Sequence, residues 1–388
     1  MFKRIANALT APLLAAAVAI AVSSFALWVS GNSPFTAFSE MWQTIDSTES
    51  VVVIINAAVP FYVAGVAVAI GFQMNLFNIG ANGQYQLAAL FAAAAGAAVS
   101  LPAPVHVAFV LLVAIVVGGL WAAIAGVLKV TRNVNEVIST IMLNYIAIGL
   151  SAFLVAEYFR NEAVNLVAET KPLPPSAQLP ALNRLLEVVG IDLGEGVILQ
   201  GFLPFAIAIG IGYYLLLYRS RFGYDLRLSG LNPAAAQSAG VRPRAMVLKT
   251  IILSGCIAGL VGMSDLMADP QYHKYGDQFP KTLGFTGLAL ALLGRNHPGG
   301  IAAAALVWAT IERATQRLSI IGIPQEIGTI LQGSFLLAAV IVYEVIRRRN
   351  NERTAQEASA RAAQSAPPPG PPGPPGGPAG DARPIGAV

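Results

Sequence analysis

The stretch Val51–Val99, "VVVIINAAVPFYVAGVAVAIGFQMNLFNIGANGQYQLAALFAAAAGAAV", sets two apolar runs on either side of a polar centre. Each run approaches the ~20 apolar residues that a helix needs to cross roughly 30 Å of hydrocarbon. The centre carries six side-chain amides, Gln73, Asn75, Asn78, Asn82, Gln84 and Gln86, within fourteen residues, and no charge. Two readings stand. Asn and Gly favour a short turn and a helix cap, yet Gln84 and Gln86 fall inside the following run, where a buried amide needs partners or costs about 1–3 kcal/mol.

The rest of the chain is as apolar as these two runs. Of 388 residues, 55% are hydrophobic and 11% charged, against about 25% charged in soluble domains, and the mean hydropathy is +0.64. This composition specifies an integral membrane protein. Ten apolar segments qualify as candidate spans, at 9–30, 51–71, 79–100, 104–128, 134–158, 198–218, 246–268, 282–296, 299–313 and 327–346. The eighth and ninth are short and read equally as partial or re-entrant spans, tolerated where irregular backbone is buried in protein. The first follows "MFKR" and is longer than a signal-peptide core, so it is expected to stay as an anchor.

Lys and Arg placement orients the ten segments, because cytoplasmic loops hold the basic excess. With the N-terminus inside, fourteen basic residues face the cytoplasm, seven face outward and three lie in the tail, which accounts for all 24. The expected fold class is therefore all-α, a polytopic transmembrane helical bundle of about ten spans with both termini cytoplasmic. Topology explains the net charge of +4 without a nucleic-acid partner.

Several chemistries are missing. No G-x-x-x-x-G-K-[ST] loop is present to hold nucleotide phosphates, so the chain does not itself hydrolyse ATP. Cys256 is the single cysteine, which excludes an internal disulfide. His106, His273 and His297 fall in three different loops with no metal-ligand spacing. Glu136, Asp265 and Glu312 sit towards segment edges, whereas a proton-coupled carrier wants charged relays at mid-membrane depth.

A second polar group opens the fifth segment, "NVNEVISTIMLNYIAIGL", where Glu136, Thr140 and Asn144 recur at i, i+4 and share a helix face. Glue between helices and the lining of a pathway both fit this stripe. A neutral ligand rich in hydroxyls or ring nitrogens suits such amides, which donate and accept.

Outside the spans, residues 160–196 carry Pro172, Pro174 and Pro175, which oppose a continuous helix, with a short surface helix expected near 181–189. The loop at 219–245 contains "GLNPAAAQSAGV", where Asn232 and Pro233 read as N-cap and first helical residue and Gly240 as the stop. Residues 1–346 form the expected membrane domain, and 347–388, dense in Pro and Gly, the expected disordered cytoplasmic tail.

Four ordered motifs, "MNLFNIGANGQ", "NEVISTIMLNYIA", "GLNPAAAQSAGV" and "GFTGLALALLGRNHPGG", resemble the permease subunits of bacterial ABC importers for nucleosides and simple sugars, within the group that includes ribose and branched-chain amino acid permeases. The first motif looks like the nucleoside branch, which typically reads "FNIGAEGQ"; Asn82 replaces the usual acidic residue. The resemblance implies a bacterial cytoplasmic-membrane permease with no cofactor of its own. ATP would be bound by a partner ATPase subunit with tandem nucleotide-binding domains. A second homologous permease, an extracytoplasmic substrate-binding lipoprotein and membrane lipid would complete its surroundings. It also implies that Gly230, Asn232, Pro233, Ala235, Ala236 and Gly240 form the segment that couples to the ATPase. Asn75, Asn78, Gln84, Asn135, Glu136, Asn144 and Tyr145 are the expected pathway lining. The alternatives are a permease for another simple sugar and a stand-alone gradient-driven transporter.

Overall fold

In the computed structural model, residues 2–342 are described, apart from 46, 165, 166, 189, 191, 192, 195, 325, 339 and 340. The expected tail, 347–388, lies outside them. The elements run α1 (Phe2–Val29), α2 (Pro34–Gln43), α3 (Thr48–Phe72), α4 (Ala81–Ala98), α5 (Ala103–Arg132), α6 (Glu136–Glu157), α7 (Asn183–Val188) and α8 (Leu203–Tyr214). They continue as α9 (Arg221–Leu231), α10 (Pro233–Ser238), α11 (Pro243–Gly259), α12 (Met263–Ala268), α13 (Leu283–Leu293), α14 (Pro298–Ile320) and α15 (Glu326–Ala338). All lie in the compact unit that ends at Val340.

Leaving α1 aside, four of these stretches are long and apolar enough to cross a membrane: α3, α5, α6 and the run Pro243–Ala268 made of α11 and α12. A fifth follows if Leu203–Arg219 and Arg221–Leu231, which meet at 68°, count as one broken span. The structure thus supports a helical membrane protein, with fewer simple spans among the described residues than ten apolar segments suggest. The reason is visible in the remaining helices. With 11 residues, α13 reaches about 16 Å at 1.5 Å per residue, half of the hydrocarbon thickness. In α14, Glu312, Arg313 and Arg317 interrupt the apolar run, and in α4 three amides do so within the first two turns.

Small residues let the central helices touch. α5 and α11 cross so closely that a Cβ on Gly255 would lie 2.6 Å from the Gly118 carbonyl oxygen, and one on Gly118 would lie 2.8 Å from the Gly259 Cα. Lipid tails give no hydrophobic drive to helix association, so close backbone approach of this kind is what packs membrane helices. α3 forms the hub, buried along nearly all of its second half from Val63 to Phe72.

Outside the bundle, the proline cluster allows only a 3-10 turn at Pro175–Ala177, and α7 occupies most of the stretch expected to be a surface helix. The loop at 219–245 holds two helices where one was expected, α9 preceding α10; Ser220 Oγ caps α9 by accepting from the Gly223 amide at 3.1 Å. α2 was not anticipated at all. It is capped by Ser33 and tied to α14 by an Arg317–Glu40 ion pair of 3.5 Å.

Candidate functional site

The connection Gln73–Gly80 does not lead away from α3 but folds back against it. Leu76 N–H donates to the Gly71 carbonyl at 3.0 Å, and α4 then begins inside the bundle with Ala81 and Asn82 fully buried. Apolar packing alone cannot stabilise such a break, because main-chain groups freed from a helix need partners. Side-chain amides provide them.

Asn78 and Gln84 form a reciprocal pair, with Asn78 Nδ2 donating to Gln84 Oε1 at 2.9 Å and Gln84 Nε2 to Asn78 Oδ1 at 3.0 Å. Asn78 Nδ2 also reaches Ser254 Oγ of α11 at 2.8 Å, and that hydroxyl donates to the Ala67 carbonyl of α3 at 2.6 Å. From α6, Asn144 Oδ1 accepts from the Gly83 amide and Asn144 Nδ2 donates to the Ile79 carbonyl, both at 2.8 Å. Asn78, Gln84 and Asn144 are each no more than 2% exposed. This amide knot joins α4, α6 and α11 to the end of α3.

The other expected lining residues lie around it. Asn135 caps α6, its Oδ1 accepting from the Val137 amide at 2.8 Å, and Glu136 pairs with Lys129 of α5 at 2.8 Å. Tyr145 points away, 70% exposed on the outer face of α6. Asn75 sits in a left-handed conformation (φ 55°), which Asn tolerates better than most residues. Its amide donates to the Gly230 carbonyl at 2.8 Å.

That bond joins the two sequence motifs. Gly230 ends α9 against the 73–80 connection, where a Cβ would lie 2.6 Å from the Met74 Cα. Immediately after it, Asn232 Oδ1 caps α10 by accepting from the Ala235 amide at 3.0 Å, Pro233 takes the first helical position and Gly240 turns the chain out at φ 82°. Ala236 is buried while Ala235 and the rest of α10 are exposed, so this short helix leaves nearly its whole surface open.

The α13–α14 turn, Arg295 and Asn296, is also left-handed and closes on the same end of the bundle. Its Asn296 carbonyl accepts from Tyr213 Oη at 2.5 Å, Tyr218 Oη at 3.3 Å and Gln73 Nε2 at 3.4 Å. Asn75 thus ties the chain after α3 to α9, and Gln73 ties it to the α13–α14 turn.

A polar chamber of 320 Å³ opens between the middle of α3, the start of α13, the second half of α14 and the start of α15. Phe61, Thr286, Trp308, Glu312, Thr315 and Gln332 are among its lining residues. Sequence reading passed over it because its members come from four separate helices and none forms a local motif. The i, i+4, i+7 spacing of Trp308, Glu312 and Thr315 on α14 was the available signal.

The histidines are separate structural parts. His106 is buried between Ser176 Oγ and the Gly96 carbonyl, each at 2.9 Å, His273 Nδ1 lies 3.2 Å from the Leu266 carbonyl, and His297 caps α14.

The sequence matches the family described as "Branched-chain amino acid transport system / permease component" over residues 50–340. It is 30% identical to the guanosine ABC transporter permease protein NupP of Bacillus subtilis, over 89% of this chain and 96% of that one. The glucose ABC transporter permease protein TsgB13 of Haloferax volcanii is 28% identical over 84% of this chain and 85% of its own. The nucleoside ABC transporter permease protein NupB of Lactococcus lactis is 25% identical over 90% and 95%. No solved structure matches. Proteins of this family work with an ATPase and a substrate-binding partner. The chain belongs to the branched-chain amino acid transport system permease family, and it is an integral membrane permease subunit of an ABC importer rather than an enzyme.

Proposed function

We propose that this permease imports nucleosides across a bacterial cytoplasmic membrane, with both termini inside. It would pair with a second homologous permease, with an ATPase carrying tandem nucleotide-binding domains and with an extracytoplasmic binding lipoprotein. The observation that carries the nucleoside reading is the 30% identity to a guanosine permease along 89% of the chain.

In this reading α10 docks on the ATPase through its exposed face, with Gly230, Asn232, Pro233, Ala235, Ala236 and Gly240 setting its shape and entry angle. ATP binding moves α9 and α10, and the Asn75–Gly230 bond passes the movement to the end of α3. The Gln73 and Tyr213 bonds to Asn296 pass it to the α13–α14 hinge. Asn78, Gln84 and Asn144 form a fixed wall of the pathway, Asn135 and Glu136 hold the start of α6 against it, and Tyr145 faces a neighbouring subunit or lipid. ATP then biases two states that alternate access, which needs only different affinities of the ATPase for the two.

A simple sugar is the second reading, favoured by the 28% identity to a glucose permease. Uptake of labelled guanosine, uridine and glucose by cells expressing the complete system separates them. Saturable, ATP-dependent guanosine uptake that unlabelled glucose does not compete is the expected result. Glucose uptake without nucleoside uptake would replace the first reading by the second, and gradient-driven transport by the chain alone would remove both.

A further inference from the structure

We propose that the chamber between α3, α13, α14 and α15 recognises the base of the nucleoside, with Trp308 and Phe61 offering aromatic faces and Glu312 accepting a ring N–H. This rests on the nucleoside reading above and adds to it a place and a chemistry.

Three observations meet there. First, the cavity measures 320 Å³, within the range of about 300–1,000 Å³ usual for small-molecule sites. Aromatic faces, hydroxyls, amides and one carboxylate line it together, and no Lys or Arg is among its lining residues. Second, Glu312 Oε2 is buried without a hydrogen-bond partner in the protein. A carboxylate with an open acceptor site inside an apolar bundle is costly unless something donates to it. Third, Thr282 and Leu283, at the start of α13, line the chamber, and no side chain caps that helix. Leu283 and Gly284, the first residues of α13, are buried, Gly284 against Asn82, while Thr282 before them is exposed. Discontinuous helices that begin within a membrane bundle aim their amide ends at polar substrate atoms in this way.

A nucleoside complements all three. Its planar base stacks on aromatic side chains whatever its identity. Its sugar hydroxyls donate to and accept from Thr286, Thr315 and Gln332, and lie within the field of the α13 amides. A carboxylate in its ionised form only accepts, so Glu312 in that form favours a base that presents N–H groups on its edge, as guanine does with its ring N–H and exocyclic amine. Adenine presents a ring acceptor there. With one carboxylate and no lining cation, the chamber disfavours nucleotides and the carboxylate of an amino acid.

The test is guanosine and adenosine uptake by proteoliposomes containing the complete transporter, comparing wild type with Glu312→Gln, Trp308→Ala and Trp308→Phe. Glu312→Gln is expected to raise KM for guanosine about ten-fold or more while changing that for adenosine little, since loss of one designed acceptor discriminates at this scale. Trp308→Ala raises KM for both, and Trp308→Phe stays close to wild type. Guanosine uptake with wild-type KM in Glu312→Gln and Trp308→Ala, at normal protein levels, removes the chamber while leaving nucleoside import in place. A wild-type complex that moves glucose and no nucleoside removes the nucleoside reading itself, and this proposal with it. If Glu312→Gln is not recovered in the membrane, Thr329→Cys at the chamber, in a Cys256→Ser background, supplies the readout. Millimolar guanosine then slows its modification by a thiol reagent where glucose does not, and equal modification with and without guanosine overturns the proposal.

Discussion

The amide knot and the chamber are two polar regions of the same apolar bundle, and their hydrogen bonds differ. In the knot, Asn78 and Gln84 bond to each other, Asn78 also to Ser254, and Asn144 to main-chain atoms, in bonds of 2.8 to 3.0 Å. In the chamber, Glu312 Oε2 has no protein partner although it is buried. A polar group closed within the protein stabilises a shape, whereas one left open in a cavity keeps its acceptor site for a bound molecule or water. Both kinds of residue look alike in the sequence, as isolated polar letters in apolar helices.

The comparison can be broken by substitution. Gly255→Leu has the largest expected effect, because the new side chain meets the Gly118 carbonyl and forces α5 from α11. Overpacking of this kind costs about 3 kcal/mol or more, and near-complete loss of protein from the membrane fraction is expected; normal recovery would show that the two helices separate freely.

Asn78→Leu strikes the knot alone. It leaves both polar ends of Gln84 and the Ser254 hydroxyl short of a partner, which amounts to roughly 2–4 kcal/mol. A clear fall in melting temperature in detergent is expected, and an unchanged one would mean that the pair contributes no net stability. Substitutions at Glu312, by contrast, should alter substrate affinity with little change in melting temperature, so measuring both quantities for both sites sharpens the distinction.

Asn75→Ala is a smaller perturbation at the edge of the knot. It removes the bond to Gly230 and places alanine at φ 55°, for a total of about 1–3 kcal/mol. ATP hydrolysis by the assembled complex is expected to persist while uptake per ATP falls several-fold. Asn75→Gly, which keeps the backbone and loses only the bond, should fall between that variant and wild type. Equal uptake per ATP in all three would remove the bond from the coupling route.

Asp277→Asn should do least. The Lys281 ammonium, 2.5 Å away, donates to the Asp277 carboxylate and holds it below the usual carboxylate range. Any contribution is therefore present at neutral pH and lost only as pH falls through that lowered value. The carboxylate is fully exposed and screened by water, so the melting temperature should not distinguish the variant from wild type at any pH. A measurable difference would point to a partner covering this loop.

Much of the site was legible locally. Asn232 and Pro233 announced α10, and they could do so because a cap and the first turn are governed by residues within four positions of each other. The stripe Glu136, Thr140 and Asn144 was legible as one helix face, and all three are buried. Its meaning was not, since the Asn144 partners, Ile79 and Gly83, lie more than sixty residues away. Tyr145 joined the expected lining only by adjacency in sequence, and a helix turns neighbouring residues to different faces.

The sequence by itself determined that the chain is a helical membrane protein, that Asn232 caps a short helix, and, through four ordered motifs, which transport family it resembles. These follow from composition, from periodicity and from contacts within a turn. Only the tertiary structure decided that α4 starts inside the bundle, that Asn75 bonds to Gly230 across 155 positions, and that Phe61, Trp308 and Gln332 line one chamber. A polar residue's role is fixed by which donor or acceptor faces it, and in a bundle that partner comes from helices far apart in the chain.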